Sequence, residues 1–177
     1  MIITISGTAG SGKSSVAKAL SKKLDYKHYS MGDFQREIAK AKGLSIVQLG
    51  ELEKTDPSID KMVDDKQINL GKTQDNFVID SRLSAHFIPN SFKIFLDADI
   101  NVRAKRITKV REAENYTDIQ KAIDASVKRE KTNQERFIEY YEFDFMDRDN
   151  FDLVLDSTGK TVEECVNEVL KNISNQS

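Results

Sequence analysis

The chain has a single cysteine, Cys165, set among polar neighbours in a C-terminal helical pattern, which excludes an internal disulfide and a thiolate metal cage. A reducing cytoplasm suits such a chain. Charge of either sign is not in excess: 27 Lys and Arg stand against 29 Asp and Glu, a net charge of -2, so no global field draws the chain to a nucleic-acid backbone. Any anionic ligand must be held by local clusters. A long apolar run is also missing, because the stretch from Met1 to Ile5 reaches Gly7 at once, far short of the roughly 20 residues of a membrane span. Neither a signal peptide nor a membrane helix is expected. Internal repeats, low-complexity tracts and a convincing linker are absent too. At 177 residues the chain is too short for two full-sized domains, and 38% hydrophobic against 32% charged residues describes one that folds.

What is present begins with Ile2-Ile3-Thr4-Ile5-Ser6, a β-branched run expected to form a central strand buried on both faces of a parallel sheet. From Lys13 onward Val16, Ala17, Leu20 and Leu24 recur at helical spacing. Further strands are predicted at Lys27 to Tyr29, Asn76 to Asp80, Phe92 to Leu96 and Phe151 to Leu155. Strands alternating with helices predict an α/β fold, a doubly wound three-layer sandwich around a five-stranded parallel sheet. Two polar helical stretches break the rhythm, at about 32–72 and about 103–148. One domain is therefore expected, with its core at about 1–31, 73–102 and 149–177, an acceptor-binding insertion and a lid.

Between the first strand and the first helix lies Gly7-Thr8-Ala9-Gly10-Ser11-Gly12-Lys13-Ser14, followed by Ser15, which meets G-x-x-x-x-G-K-[ST] at every fixed position. Such a loop turns its backbone N–H groups onto phosphate oxygens and adds the positive end of the following helix. Lys13 is expected on the β and γ phosphates of ATP and Ser14 on Mg²⁺. A switch GTPase would carry the same loop, yet no N-K-x-D element is present.

After the second strand comes Ser30-Met31-Gly32-Asp33-Phe34-Gln35-Arg36, and this S-x-G-D-x-x-R resembles the monophosphate-site signature of nucleoside monophosphate kinases. The compact archaeal-type cytidylate kinases of the P-loop kinases are the most similar group. Supporting landmarks follow in order: Asp56-Pro57-Ser58-Ile59-Asp60, Val78-Ile79-Asp80-Ser81-Arg82, Phe95-Leu96-Asp97-Ala98, the segment from Val102 to Ile107, and Lys128-Arg129-Glu130 with Arg136. The resemblance implies a (d)CMP kinase, with Arg36 and Arg82 on the acceptor phosphate, Ser30 helping to seat the nucleoside, and Arg106 on the donor side, stacking on adenine. It also assigns Arg129 and Arg136 to the phosphates, and suggests that the loop Asp156-Ser157-Thr158-Gly159 meets the donor adenine. Two positions depart from the bacterial group: Leu83 stands where an aspartate helps read cytosine, and Asn133 where an aspartate meets the ribose.

The residue types agree with these roles. An arginine fork meets two phosphate oxygens and keeps its charge near neutral pH. Asp80 ends an apolar strand, a place from which a carboxylate can orient magnesium through water; Asp33 competes for that task. Arg129 and Arg136, seven apart on a predicted helix, return to one face and can reach one anionic centre; Arg103, Arg106 and Arg111 open the lid. Bland alternatives stand beside these: a solvated Arg36 paired with Glu37 or Glu53, an N-capping role for Asp80, helix capping by Ser157 or Thr158, and surface positions for Arg103 and Lys105. His28 and His86 are expected to pack or be exposed, because an acceptor that is already an ionised phosphate needs no general base. The aromatics Phe137, Tyr140, Tyr141, Phe143 and Phe145 are expected to pack the lid base onto the core. The expected partner is a small nucleoside monophosphate, with a monomer sufficient. A kinase for AMP, UMP or a metabolite, or an ATP-dependent switch, remains an alternative.

Overall fold

The computed structural model describes residues 1–53, 55–110 and 119–176. Strand β1 (Ile2–Gly7) runs through the middle of a five-stranded sheet with β2 (Lys27–Ser30), β3 (Phe77–Asp80), β4 (Phe92–Asp97) and β5 (Leu153–Asp156), in the order β2-β3-β1-β4-β5. Every pairing is parallel. Ile3 to Gly7 are all buried, as a strand covered on both faces requires.

The helices are α1 (Lys13–Leu24), α2 (Met31–Ala41), α3 (Ile46–Leu52), α4 (Pro57–Thr73), the short α5 (Ser84–Phe87), α6 (Ile100–Val110), α7 (Ile119–Tyr141) and α8 (Val162–Gln176). On one face Ile3, Ile5, Val78, Ile94 and Leu96 pack against Val16, Ala17 and Leu20 of α1 and Cys165, Val166 and Val169 of α8. Opposite them Phe77 and Ile79 meet Met31, Ile38, Leu49, Ile59, Val63 and Leu70 from α2, α3 and α4. The result is a three-layer α/β sandwich around a parallel sheet.

Local chemistry sets the helix ends. Ser45 and Gln48 form a reciprocal capping box at α3, and Asp56 caps α4 with Pro57 in its first turn. Thr161 caps α8, accepting from the Glu164 N–H at 3.2 Å while the Glu164 carboxylate accepts from the Thr161 N–H at 2.7 Å. Thr161, and not the alternative Ser157 or Thr158, therefore caps α8.

Two strands start later than expected. Asn76 adopts φ 56°, which ends extended pairing there, so β3 begins at Phe77. Phe151 follows the 3₁₀ turn Arg148–Asn150 and sets its ring edge-on to Phe95 at 5.1 Å, leaving β5 to begin at Leu153. Among the described residues no helix is long and apolar enough to cross a membrane.

Candidate active site

The site lies outside the carboxyl ends of β1, β3 and β4, where open parallel sheets bind ligands. Gly7 leaves β1 with φ 136°, and a Cβ there would stand 1.9 Å from the carbonyl oxygen of Leu96. Only glycine lets the chain turn that close to β4. Gly12, at φ 96°, is the left-handed N-cap of α1 and exposes the helix's free N–H groups without a side-chain cap. Between them Ser11 donates its hydroxyl to the Thr8 carbonyl at 2.9 Å, and Thr8 donates its own to Asp97 Oδ1 at 2.8 Å. Thr8 and Ser11 thus shape the loop from within.

Lys13 Nζ donates to the Thr8 carbonyl at 2.5 Å. Its pKa falls to about 7, chiefly through burial and then through the nearby Arg82 guanidinium, against the opposing pull of Asp80 and Glu130. A cation held so weakly charged is ready to gain charge from an anionic ligand.

Asp80 is the hub of the site. Its Oδ2 accepts from the Ser14 hydroxyl at 2.8 Å and from the Ser30 hydroxyl at 3.1 Å, while Oδ1 accepts from His28 Nε2 at 2.7 Å. The register of the sheet explains the meeting, because Ser30 of β2 lies opposite Asp80 of β3. Asp80 caps nothing; Ser81 accepts from the Leu83 N–H instead, at 3.2 Å. His28, expected to pack or be exposed, packs partly buried against that carboxylate, where the pairing of β2 with β3 brings it. The alternation that puts His28 and Ser30 on one face of β2 was the available signal.

Asp33 pairs with Arg36, both side chains being mostly exposed. Ser30 caps α2, accepting from the Asp33 N–H at 3.3 Å. Ser15 is exposed on α1.

The arginines divide. Arg106 donates to the Ser11 carbonyl at 3.2 Å, to the Ser157 hydroxyl at 2.9 Å and to the Ser157 carbonyl at 3.0 Å, joining the phosphate loop to the loop after β5. Arg136 reaches Asp60 at 3.2 Å and Glu53 at 3.9 Å, and Arg129, exposed at the surface, acts electrostatically on Glu53 as well. Both arginines therefore bear on one carboxylate, and burial of Glu53 raises its pKa against them. Arg82 stands 5.8 Å over the ring of Phe145.

Arg103 is not a surface residue. It is 7% exposed and pairs with Glu130. Arg111 lies outside the described residues. Leu83, Phe137 and Phe145 form a buried cluster with Tyr141 and Phe143 at its edge; Tyr140 is 55% exposed, its ring edge-on to that of Tyr141 at 6.3 Å. His86 sits in α5 with its ring against Phe87, Tyr141 and Phe143.

The family model described as the cytidylate kinase-like family matches residues 2–159. A cytidylate kinase of Sulfolobus acidocaldarius is 40% identical over 176 residues, covering 98% of this chain and 94% of its own length. A cytidylate kinase of Methanosphaera stadtmanae is 31% identical over 176 residues and covers 99% of both chains. Among solved structures, shikimate kinase from Aquifex aeolicus superposes with a TM-score of 0.62 at 22% identity, covering 99% of this chain and 98% of that one. An uncharacterized protein from Eubacterium ventriosum gives a TM-score of 0.73 at 23% identity, with 98% of each chain covered. The structural likenesses speak for the fold alone.

Proposed function

Because the chain belongs to the cytidylate kinase-like family, we propose that it transfers the γ-phosphoryl group of ATP to CMP or dCMP, giving ADP and CDP or dCDP. One observation carries the reading: the donor loop and the acceptor motif meet on a single oxygen, where Asp80 Oδ2 accepts from both Ser14 and Ser30. A site that must bring a donor phosphate and an acceptor phosphate into line needs its two binding motifs side by side.

On this reading Gly7 to Ser15 hold the polyphosphate, Lys13 neutralises it, and Arg106 backs the donor side. Ser30, Asp33, Arg36 and Arg82 seat the monophosphate, and Arg129 and Arg136 close on the transferring group. The acceptor phosphate is ionised at neutral pH, so the chain supplies position and positive charge and no base is required. Ser14 fits Mg²⁺ as a hard oxygen ligand, and Asp80, which accepts from its hydroxyl at 2.8 Å, fits as the carboxylate that would orient a water on the ion, leaving the remaining positions to water and phosphate. When bound, the ion supplies charge neutralisation at the β and γ phosphates. Helices α2 to α4 form the acceptor wall and α6 and α7 the lid of one kinase domain, a complete site within a monomer.

Arg36→Ala tests the acceptor side. Loss of a charge-assisted fork is expected to raise KM for CMP by roughly tenfold or more and leave KM for ATP within about twofold. A KM for CMP that does not move would refute the placement of the acceptor. Lys13→Ala is expected to lower kcat by at least about a hundredfold.

A further inference from the structure

We propose that the buried Arg103–Glu130 pair is a positioning device, clamping the phosphate loop to the two lid helices and fixing where Arg129 stands relative to the donor phosphates. The proposal rests on the kinase reading above.

Arg103 comes from α6 and Glu130 from α7, and they are 7% and 8% exposed. Together they take both backbone groups of one loop residue. Glu130 Oε1 accepts from the Ala9 N–H at 2.8 Å and also from the Arg103 guanidinium, whose Nε donates to the Ala9 carbonyl at 2.8 Å. The α6 backbone lies against the same stretch, since a Cβ on Gly10 would stand 2.6 Å from the Arg103 carbonyl oxygen. Ala9 and Gly10 are thus the loop's outer wall, and the pair is what grips it.

Stability alone does not account for a pair of this kind. A buried ion pair repays its desolvation so poorly that apolar residues of the same volume usually serve as well. What apolar residues cannot do is hold an N–H and a C=O in fixed directions. The pair is also balanced towards Lys13, whose charge Glu130 favours and Arg103 opposes. Glu130 directly follows Arg129, and successive residues on a helix point about 100° apart. With Glu130 anchored on the loop, Arg129 is carried to the adjacent, exposed sector of α7. Any movement of α7 then acts on the loop, and the loop holds α7 in register.

The test uses the full chain with ATP, Mg²⁺ and CMP, reading kcat, both KM values and Tm for Glu130→Ala and Glu130→Gln. A buried-core variant that touches neither helix, Val169→Ala, supplies the comparison for a general loss of stability. Misplacing the loop against Arg129 by about an ångström is expected to lower kcat of Glu130→Ala by about 10- to 100-fold, with KM for CMP within about twofold. Glu130→Gln keeps an oxygen for the Ala9 N–H and is expected to recover part of that loss. If Glu130→Ala does not fold, the isosteric Glu130→Gln stands in for it, with an expected fall in kcat of at least about threefold. The proposal is overturned if the substituted protein keeps kcat within about twofold of the wild type, or loses no more than Val169→Ala at an equal fall in Tm. Should the wild type itself not phosphorylate CMP, the kinase reading fails separately. The clamp is then read from calorimetric ATP affinity, expected to weaken at least about fivefold in Glu130→Ala and overturned if unchanged.

Discussion

Lys13 is a cation placed where burial opposes its charge. With its pKa lowered to about 7, first by burial and then by Arg82, the free protein holds Lys13 largely neutral at pH 8 and charged at pH 6. The sign follows from proton binding: between about pH 7 and the unfolded value of 10.5 the unfolded chain binds more protons, so this residue's penalty on stability is relieved as pH rises. An arriving polyphosphate favours the ammonium form, so ATP binding is expected to take up a proton at pH 8 and none through Lys13 at pH 6. Calorimetry at pH 8 in buffers of different ionisation heat measures this uptake; heats independent of buffer would contradict it. Asp64 behaves oppositely. Burial raises its pKa to about 6, although Tyr141 donates to it at 2.6 Å. Stability is therefore lost as pH rises from the ordinary carboxylate value of 3.8 to about 6 and stays lost above. Asp64→Asn is expected to raise Tm at pH 8, with the gain vanishing near pH 4, as followed by thermal melts. At this scale the sequence made the loop residues plain, because their spacing is itself the motif. Arg103 was misjudged, and the partner of His28 unforeseen, for a physical reason: Glu130 and Asp80 lie 27 and 52 residues away from them, and a local pattern carries no record of such contacts.

Among the elements, β1 is tightly constrained at its last residue. An alanine at Gly7 would drive its Cβ into the Leu96 carbonyl at 1.9 Å and hold a side chain at φ 136°. Gly7→Ala is expected to cost at least about 2 kcal/mol in urea unfolding; a cost under about 0.5 kcal/mol would show that β1 and β4 can separate there. Strands were legible from β-branched runs and their spacing, and the two late starts came from backbone events that composition does not reveal: a left-handed Asn76 and a 3₁₀ turn before Phe151. The seven-residue interval between Arg129 and Arg136 marked one helix face, and both act on Glu53. That Asp60 of α4 would also hold Arg136 was not readable, since it depends on how α4 docks on α7.

On the scale of the molecule, the sheet order β2-β3-β1-β4-β5 places the phosphate loop between the β2–β3 side, which carries Ser30 and Asp80, and the β4–β5 side, which carries Asp97 and the loop of Ser157. The segments that carry Ser14, Ser30 and Asp80 are brought together by topology, and Ser30 and Asp80 by pairing register. The same architecture in shikimate kinase shows that the fold leaves the acceptor open. For this chain the acceptor is read from the family. Leu83 is buried in the aromatic cluster. The most direct measurement is therefore acceptor-dependent ADP release with ATP and Mg²⁺ across CMP, dCMP, UMP, AMP, GMP and shikimate, with the phosphorylated product identified by mass. The account predicts CDP or dCDP formed at a rate at least about a hundredfold above that with purine nucleotides or shikimate. Turnover with shikimate or AMP in place of the cytidine nucleotides, or ATP binding without any acceptor-dependent ADP release, would contradict it.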